Sequence, residues 1–173
     1  MDNTRTPVLY IVGNYNIDLV MGTLTHWPAQ GTEMMLEHSA LRPGGSAGNC
    51  ALAAAAMQLP HCAVGCQGDD AFTPWLAAQF PGDSARWPQY PCETSLTVAI
   101  THPNKERSFL SNHGHITRLT AGDVLSQLPA AAGEGDIVLL CGTFLCTGLL
   151  SDYPQLLATL RQRGFTLAVD TGW

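Results

Sequence analysis

The chain has 173 residues, 46% of them hydrophobic and 13% charged, with 8 Lys plus Arg and a formal charge of −6. That length suits one domain with a real core, and the composition is that of a globular chain. So few basic residues exclude a nucleic-acid groove, no window approaches the roughly 20 apolar residues of a membrane span, and the start MDNTRTPVLYIVG lacks the apolar stretch of a secretory signal.

VLYIVG (8–13) predicts a buried strand ended by Gly13 and Asn14. LRPGGSAGNC reads as a glycine-rich turn running into a helix over NCALAAAAMQL (49–59), which Pro60 ends. HCAVGC (61–66) predicts a second buried strand, QGDD a turn, and FTPWLAAQF a helix with Pro74 in its first turn. TSLTVAIT (94–101) and RSFLSN (107–112) alternate on either side of HPNKE and predict a β-hairpin with one wetter face. LTAGDVLSQL (119–128) predicts a helix, DIVLLC (136–141) a third buried strand, SDYPQLLATLRQRG a helix capped by Gly164, and FTLAVD (165–170) a fourth strand.

Apolar strands alternating with helices predict an α/β fold with a parallel sheet covered on both faces. The hairpin, with DLVMG and TEMMLEHS near the start, breaks that rhythm and predicts a second, small β-sheet beside the core. The fourth strand carries Asp170 to its carboxyl end, where open α/β sheets build their sites. No covering helix follows in VDTGW, so the expectation is a partly built domain with a bare edge strand. The six cysteines (50, 62, 66, 92, 141 and 146) form no CxxC, and several sit in apolar runs, which predicts reduced, buried thiols in a cytoplasmic chain.

The glycine stretch carries competing readings. A dinucleotide fingerprint would follow the first strand directly, where GNYNID stands instead, and GGSAGNC has no Gly-Lys-Ser/Thr end for a P-loop. Two readings remain open. The glycines let a helix crowd a strand, or free N–H groups at the helix start, with the Asn49 amide, receive the oxygens of an uncharged polyol. The His113-x-His115 pair suggests a metal, yet no third ligand is near, and surface histidines are the simpler reading.

VGNYNIDLV, PAQGTEMMLEHSALRPGGSAGNCALAAAAMQL and AVGCQGDDAFTPWLAAQF together resemble the amino-terminal half of the ribokinase-like (PfkB) carbohydrate kinases. TSLTVAI…ERSFLSNHG resembles that family's lid hairpin, and IVLLCGTF and LAVDTG its next two core strands, so the likeness runs over essentially residues 1–173, with lid segments near 18–40 and 94–112. The resemblance implies that Asp18 hydrogen-bonds sugar hydroxyls and that Gly44, Gly45 and Asn49 bind substrate. Asn14 and Asn16 flank the same strand end, where turn chemistry competes with ligand binding. Thr97 on the lid strand, Gly114 at its return, Gly142 and Thr143 after the third strand, and Asp170 complete the implied set.

The resemblance implies transfer of the ATP γ-phosphoryl to a hydroxyl of a non-phosphorylated sugar or nucleoside, with Mg²⁺. In the family the Gly-Ala-Gly-Asp anion hole, the catalytic base and the nucleotide pocket lie in the carboxyl-terminal half. This chain is therefore expected to hold the substrate half, with no catalytic, ATP or metal site and no activity alone. TAGD (120–123) differs from that motif by one residue, but Thr120 and Asp123 are placed to cap a helix, and Leu119 to staple it against Val124. The alternatives are a non-catalytic sugar-binding module and a self-associating product, and a homodimer through the lid strands or the bare edge is expected in each case.

Overall fold

The computed structural model describes residues 5–171. Met1–Thr4, at the head of the segment read above for a signal peptide, and Gly172–Trp173, at the end of VDTGW, lie outside them.

Four strands build the parallel sheet: β1 (Leu9–Gly13), β4 (His61–Val64), β7 (Ile137–Cys141) and β8 (Thr166–Val169). Their order is β4-β1-β7-β8, so the first strand of the chain lies inside the sheet and β8 at its edge. β1 alternates between two cores. Tyr10 and Val12 join Val138 and Leu140 under Leu149, Leu156 and Leu160, while Ile11 joins Ala63 and Cys141 under Ala47, Ala51 and Ala54. The first core is closed by α3 (Ala121–Gln127), α4 (Thr147–Leu150) and α5 (Tyr153–Gln162), the second by α1 (Ser46–Ala56) and α2 (Thr73–Ala77). The helix α4 was not anticipated.

The second sheet has the order β3-β2-β5-β6, from β2 (Asn16–Gly22), β3 (His38–Gly44), β5 (Leu96–Thr101) and β6 (Arg107–Ser111). β2 pairs antiparallel with β3 and parallel with β5, and β5–β6 is the predicted hairpin. This sheet is thinly covered. In β3 the residues His38, Ser39, Leu41 and Arg42 are exposed, as are Arg107 and Phe109–Ser111 in β6.

Three boundaries differ from the sequence reading. Leu41–Gly44 are not turn but the end of β3, because their partners on β2 hold them extended; only Gly45, at φ +84°, turns the chain. Of TEMMLEHS only His38 and Ser39 are in a strand. Helix α1 starts at Ser46 rather than Asn49 and stops at Ala56, where Gln58 turns left-handed and Leu59 N–H donates to Ala54 C=O.

TAGD is a helix cap as read. Asp123 N–H donates to Thr120 Oγ1 at 3.1 Å and Thr120 N–H to Asp123 Oδ2 at 2.8 Å, with Leu119 and Val124 in one core. All six cysteines are free; 62, 66, 141 and 146 are buried, while Cys50 and Cys92 are half-buried. Among the described residues no helix is long and apolar enough to cross a membrane.

Candidate functional site

The chain passes from one sheet to the other through two residues, Asn14 and Tyr15, between the end of β1 and the start of β2. Tyr15 anchors this crossing. Its ring lies edge-on to Phe80 at 5.0 Å and against Trp87 at 4.7 Å, and its hydroxyl donates to Ile11 C=O at 2.7 Å. Its neighbours on either side therefore have fixed places.

From there a hydrogen-bonded chain runs along one face. Asn14 Oδ1 accepts from Ser46 N–H at 3.0 Å and Ala47 N–H at 3.5 Å, while Gly48 N–H donates to Asn14 C=O at 3.3 Å. Asn14 Nδ2 donates to Asn16 Oδ1 at 3.3 Å, and Asn16 Nδ2 to Asp18 Oδ1 at 2.8 Å. The positive end of α1 thus leads, through two amides, to a carboxylate. Burial pushes the Asp18 carboxyl above its ordinary range, and the Asn16 hydrogen bond and the Arg107 charge partly hold it back.

This arrangement corrects two expectations. The N–H groups at the start of α1 are not free for ligand oxygens, because Asn14 takes them. Asn14 itself is no turn residue but a buried cap supplied from outside the helix. The glycine pair makes room for the chain: a Cβ at Gly44 would strike the Asp18 carboxylate, and one at Gly45 would strike Asn14 C=O and Asn16 Oδ1. Gly142, at φ +62°, backs against the Asn14 side chain in the same way.

Register extends the site across the second sheet. Arg42, Asp18, Thr97 and Ser111 stand in one row over four strands, with Thr97 Oγ1 and Ser111 Oγ 2.9 Å apart. A cleft of about 220 Å³ opens here, lined by Asn14, Asn16, Thr97, Ser111, His113 and Leu145 among others. Amides and hydroxyls dominate its polar lining, and no acid or Arg/Lys side chain lines it.

Of the residues singled out from sequence, Asn14, Asn16, Thr97 and His113 line this cleft, and Asp18, Gly44 and Gly45 adjoin Asn16. Gly114 is not in its lining but packs against Ser95, which is, with no room for a Cβ. Asn49 and Asp170 do not join it. Asn49 is exposed on α1, and Asp170 is exposed beyond β8, its N–H donating to Leu140 C=O at 2.9 Å. Thr143 is fully buried against the Tyr153 hydroxyl at 3.0 Å. The surface reading of the histidines fails for His115, which is 0% exposed. Ser95, Ser111 and Asn112 were missed, although counting back from the loop 102–106 pairs Ser111 with Thr97.

No family model matches the sequence, and no curated protein sequence does. Solved structures do match. The Arabidopsis thaliana ribokinase complexed with ribose and ATP aligns with a TM-score of 0.68 at 18% identity, over 97% of this chain and 54% of its own. The fold is ribokinase-like. The Xylella fastidiosa fructokinase with bound ATP gives 0.71 at 15% identity over 98% and 53%, and the Burkholderia thailandensis nucleoside kinase in complex with inosine gives 0.61 at 18% over 95% and 52%. The chain spans about half the length of these structures.

Among the described residues no three His, Cys, Asp or Glu side chains are grouped to hold a metal, and at the glycine-led start of α1 the first N–H groups are taken by Asn14.

Proposed function

We propose that this chain is the substrate-binding half of a sugar kinase, which moves the γ-phosphoryl of ATP to a hydroxyl of a non-phosphorylated sugar or nucleoside. The observation that carries this reading is the Asn14–Asn16–Asp18 chain beside Thr97 and Ser111 in a ribokinase-like fold. Amides both donate and accept, a carboxylate accepts twice, and hydroxyls do either, which is the complement a polyol needs. Asp18 accepts from sugar hydroxyls, Asn16 and Thr97 orient them, Gly44 and Gly45 keep the floor close, and the second sheet serves as lid. ATP, Mg²⁺ and the catalytic base belong to the full-length enzyme, and this chain alone is inactive. The six free thiols favour a cytoplasmic setting.

Calorimetric titration of the chain with D-ribose, D-fructose and inosine tests this. One of them should bind, and Asp18→Ala should weaken that binding by about tenfold or more, the worth of hydrogen bonds to a charged group. Equal binding by the variant, or none by the wild type, would sink the reading.

A second reading, a self-associating module, is favoured by the edge of β8, where Val169 is 42% exposed. Sedimentation equilibrium that shows a monomer at all concentrations would remove it, together with the homodimer expected through the lid strands or this edge.

A further inference from the structure

His115, beside the cleft, is fully buried. It lies in a short 3₁₀ turn, His115–Arg118, that returns from β6 to the parallel core. Gly114, at φ +50° and with Ser95 backbone atoms within 2.6 Å of where a Cβ would stand, allows this turn to press against the root of β5. Around it the contacts are reciprocal: Ser95 Oγ donates to His113 C=O at 2.9 Å, Ile116 N–H donates to Ser95 Oγ at 3.2 Å, and His115 N–H donates to Glu93 C=O at 2.9 Å.

The imidazole lies between two backbone groups that no strand satisfies. The β2–β5 ladder reaches back to Ile17 N–H donating to Ser95 C=O at 3.0 Å, and there the strands part. Beyond that point Ser95 N–H donates to His115 Nδ1 at 2.9 Å, and His115 Nε2–H donates to Tyr15 C=O at 3.0 Å. The ring is a side-chain rung. Because Nδ1 accepts, the proton sits on Nε2, and this tautomer is set by the two backbone partners.

Tyr15 stands between Asn14 and Asn16, and Ser95 stands two residues before Thr97. The rung therefore connects the backbone of the cleft's amide wall to the backbone of its hydroxyl wall. We propose that His115 is a positioning residue of this cleft: its neutral imidazole, bridging Tyr15 C=O and Ser95 N–H, sets the spacing between Asn14 and Asn16 on one wall and Thr97 and Ser111 on the other. The proposal rests on the sugar-binding reading for its ligand, but the spacing itself can be tested without one.

A proton added at Nδ1 would face Ser95 N–H donor to donor, so protonation breaks the rung and loosens the wall. Burial holds the imidazole pKa down at about 4, which the hydrogen bond to Tyr15 C=O and the nearby Asp70 charge only partly offset, so the ring is neutral at pH 7. The titratable neighbours are Tyr15 on the crossing, Cys66 and Asp70 after β4, Glu93 before β5, and His113 and Arg118 on its own segment. Burial raises the Tyr15 hydroxyl and Cys66 thiol pKa values, so both stay protonated in acid, while Asp70, which burial pushes up, is held below its ordinary range by five hydrogen bonds from Phe72, Thr73 and Thr94.

The test is a set of amide spectra of the full chain, wild type against His115→Leu and His115→Asn, at pH 7.5. In His115→Leu the Asn14 and Asn16 side-chain amides and the Ser95 and Thr97 backbone amides should move, while Ile11, Val12 and Leu140 stay in place. His115→Asn, whose Oδ1 can still accept from Ser95 N–H, should restore part of the shift. Titrating the wild type from pH 7.5 to below the ring's own pKa of about 4 makes the same test if His115→Leu does not fold. The Ser95 backbone amide and the Asn14 side-chain amide should then follow the His115 ring with one apparent pKa while the parallel-sheet amides hold still; the Asn16 side-chain amide also reports Asp18, to whose raised carboxyl it donates.

Asn14 and Asn16 signals indifferent to both changes would overturn the proposal. So would shifts spread equally through the parallel sheet, which would make His115 a support of the whole fold. With D-ribose or D-fructose as probe, affinity in His115→Leu should fall tenfold or more. If D-ribose, D-fructose and inosine all fail to bind the wild type, the sugar or nucleoside reading fails, and the amide shifts still decide the positioning role.

Discussion

The parallel sheet and the second sheet have four strands each, and they hold them by different means. In the first, Ile11, Val12, Val138 and Leu140 are fully buried between two layers of helix, so burial on both faces sets strand order and register. In the second, two of the four strands are mostly exposed, and Ile17, Ala99 and Ile100 are its buried apolar residues. Its place is set instead at its root, by polar contacts that tie it to the first sheet: the Asn14–Asn16–Asp18 chain, the His115 rung, and Asp70, which accepts from Thr94 N–H at 2.8 Å and Thr94 Oγ1 at 2.6 Å. Apolar burial gives the chain a scaffold, and hydrogen bonds at the junction give it a cleft with defined walls. A sheet so attached opens at lower cost than the core it is attached to.

The sharpest way to break this comparison is to remove one leucine from each sheet. Leu140→Ala should cost about 3 kcal/mol or more, since it leaves a cavity between packed layers. Leu110→Ala on β6, 56% exposed, should cost no more than about 0.5 kcal/mol. Urea denaturation measures both, and equal losses would contradict the division.

Acid tests the junction. His115 takes a proton at about pH 4 in the folded chain and near 6.5 when unfolded, so the unfolded state gains the proton first as pH falls. The stability that neutral His115 contributes is complete above pH 6.5 and is lost down to about pH 4, on the order of 3 kcal/mol in all. His115→Leu should flatten this part of the pH profile, and an unchanged slope in the variant would assign the acid sensitivity elsewhere. Asp70→Ala comes next, at about 2 kcal/mol for the hydrogen bonds its carboxylate receives. Its loss should appear in hydrogen exchange at Thr94–Thr97 before it appears at Leu9–Val12, and the reverse order would count against a root that opens separately.

The first sheet was legible in the sequence because its signal is local. Each apolar run of β1, β4, β7 and β8 lies between its own turn residues, and TAGD carries both halves of its capping box within four positions. The hairpin and its polar face were legible for the same reason. The site was legible only in part. Asp18, Gly44, Gly45, Asn16 and Thr97 fall together, but the cap on α1 comes from Asn14, and no pattern around residues 45–49 points to position 14. His115 was misread because a polar residue between Gly114 and Ile116 has no periodicity that marks it as buried; what buries it is the pair of backbone groups at Tyr15 and Ser95. Asn49 was read from the helix start and Asp170 from the strand end, as well as from the resemblance, and their side chains fall outside the cleft lining.

The oxygen that caps α1 lies 32 positions upstream of the first helical residue. Closing a loop of that length costs about 3 kcal/mol of chain entropy, which the helix start cannot offset alone. The first turn of α1 is therefore completed only after β1 and α1 already lie side by side. Helix start and amide chain share one residue, so neither is complete until the other is in place.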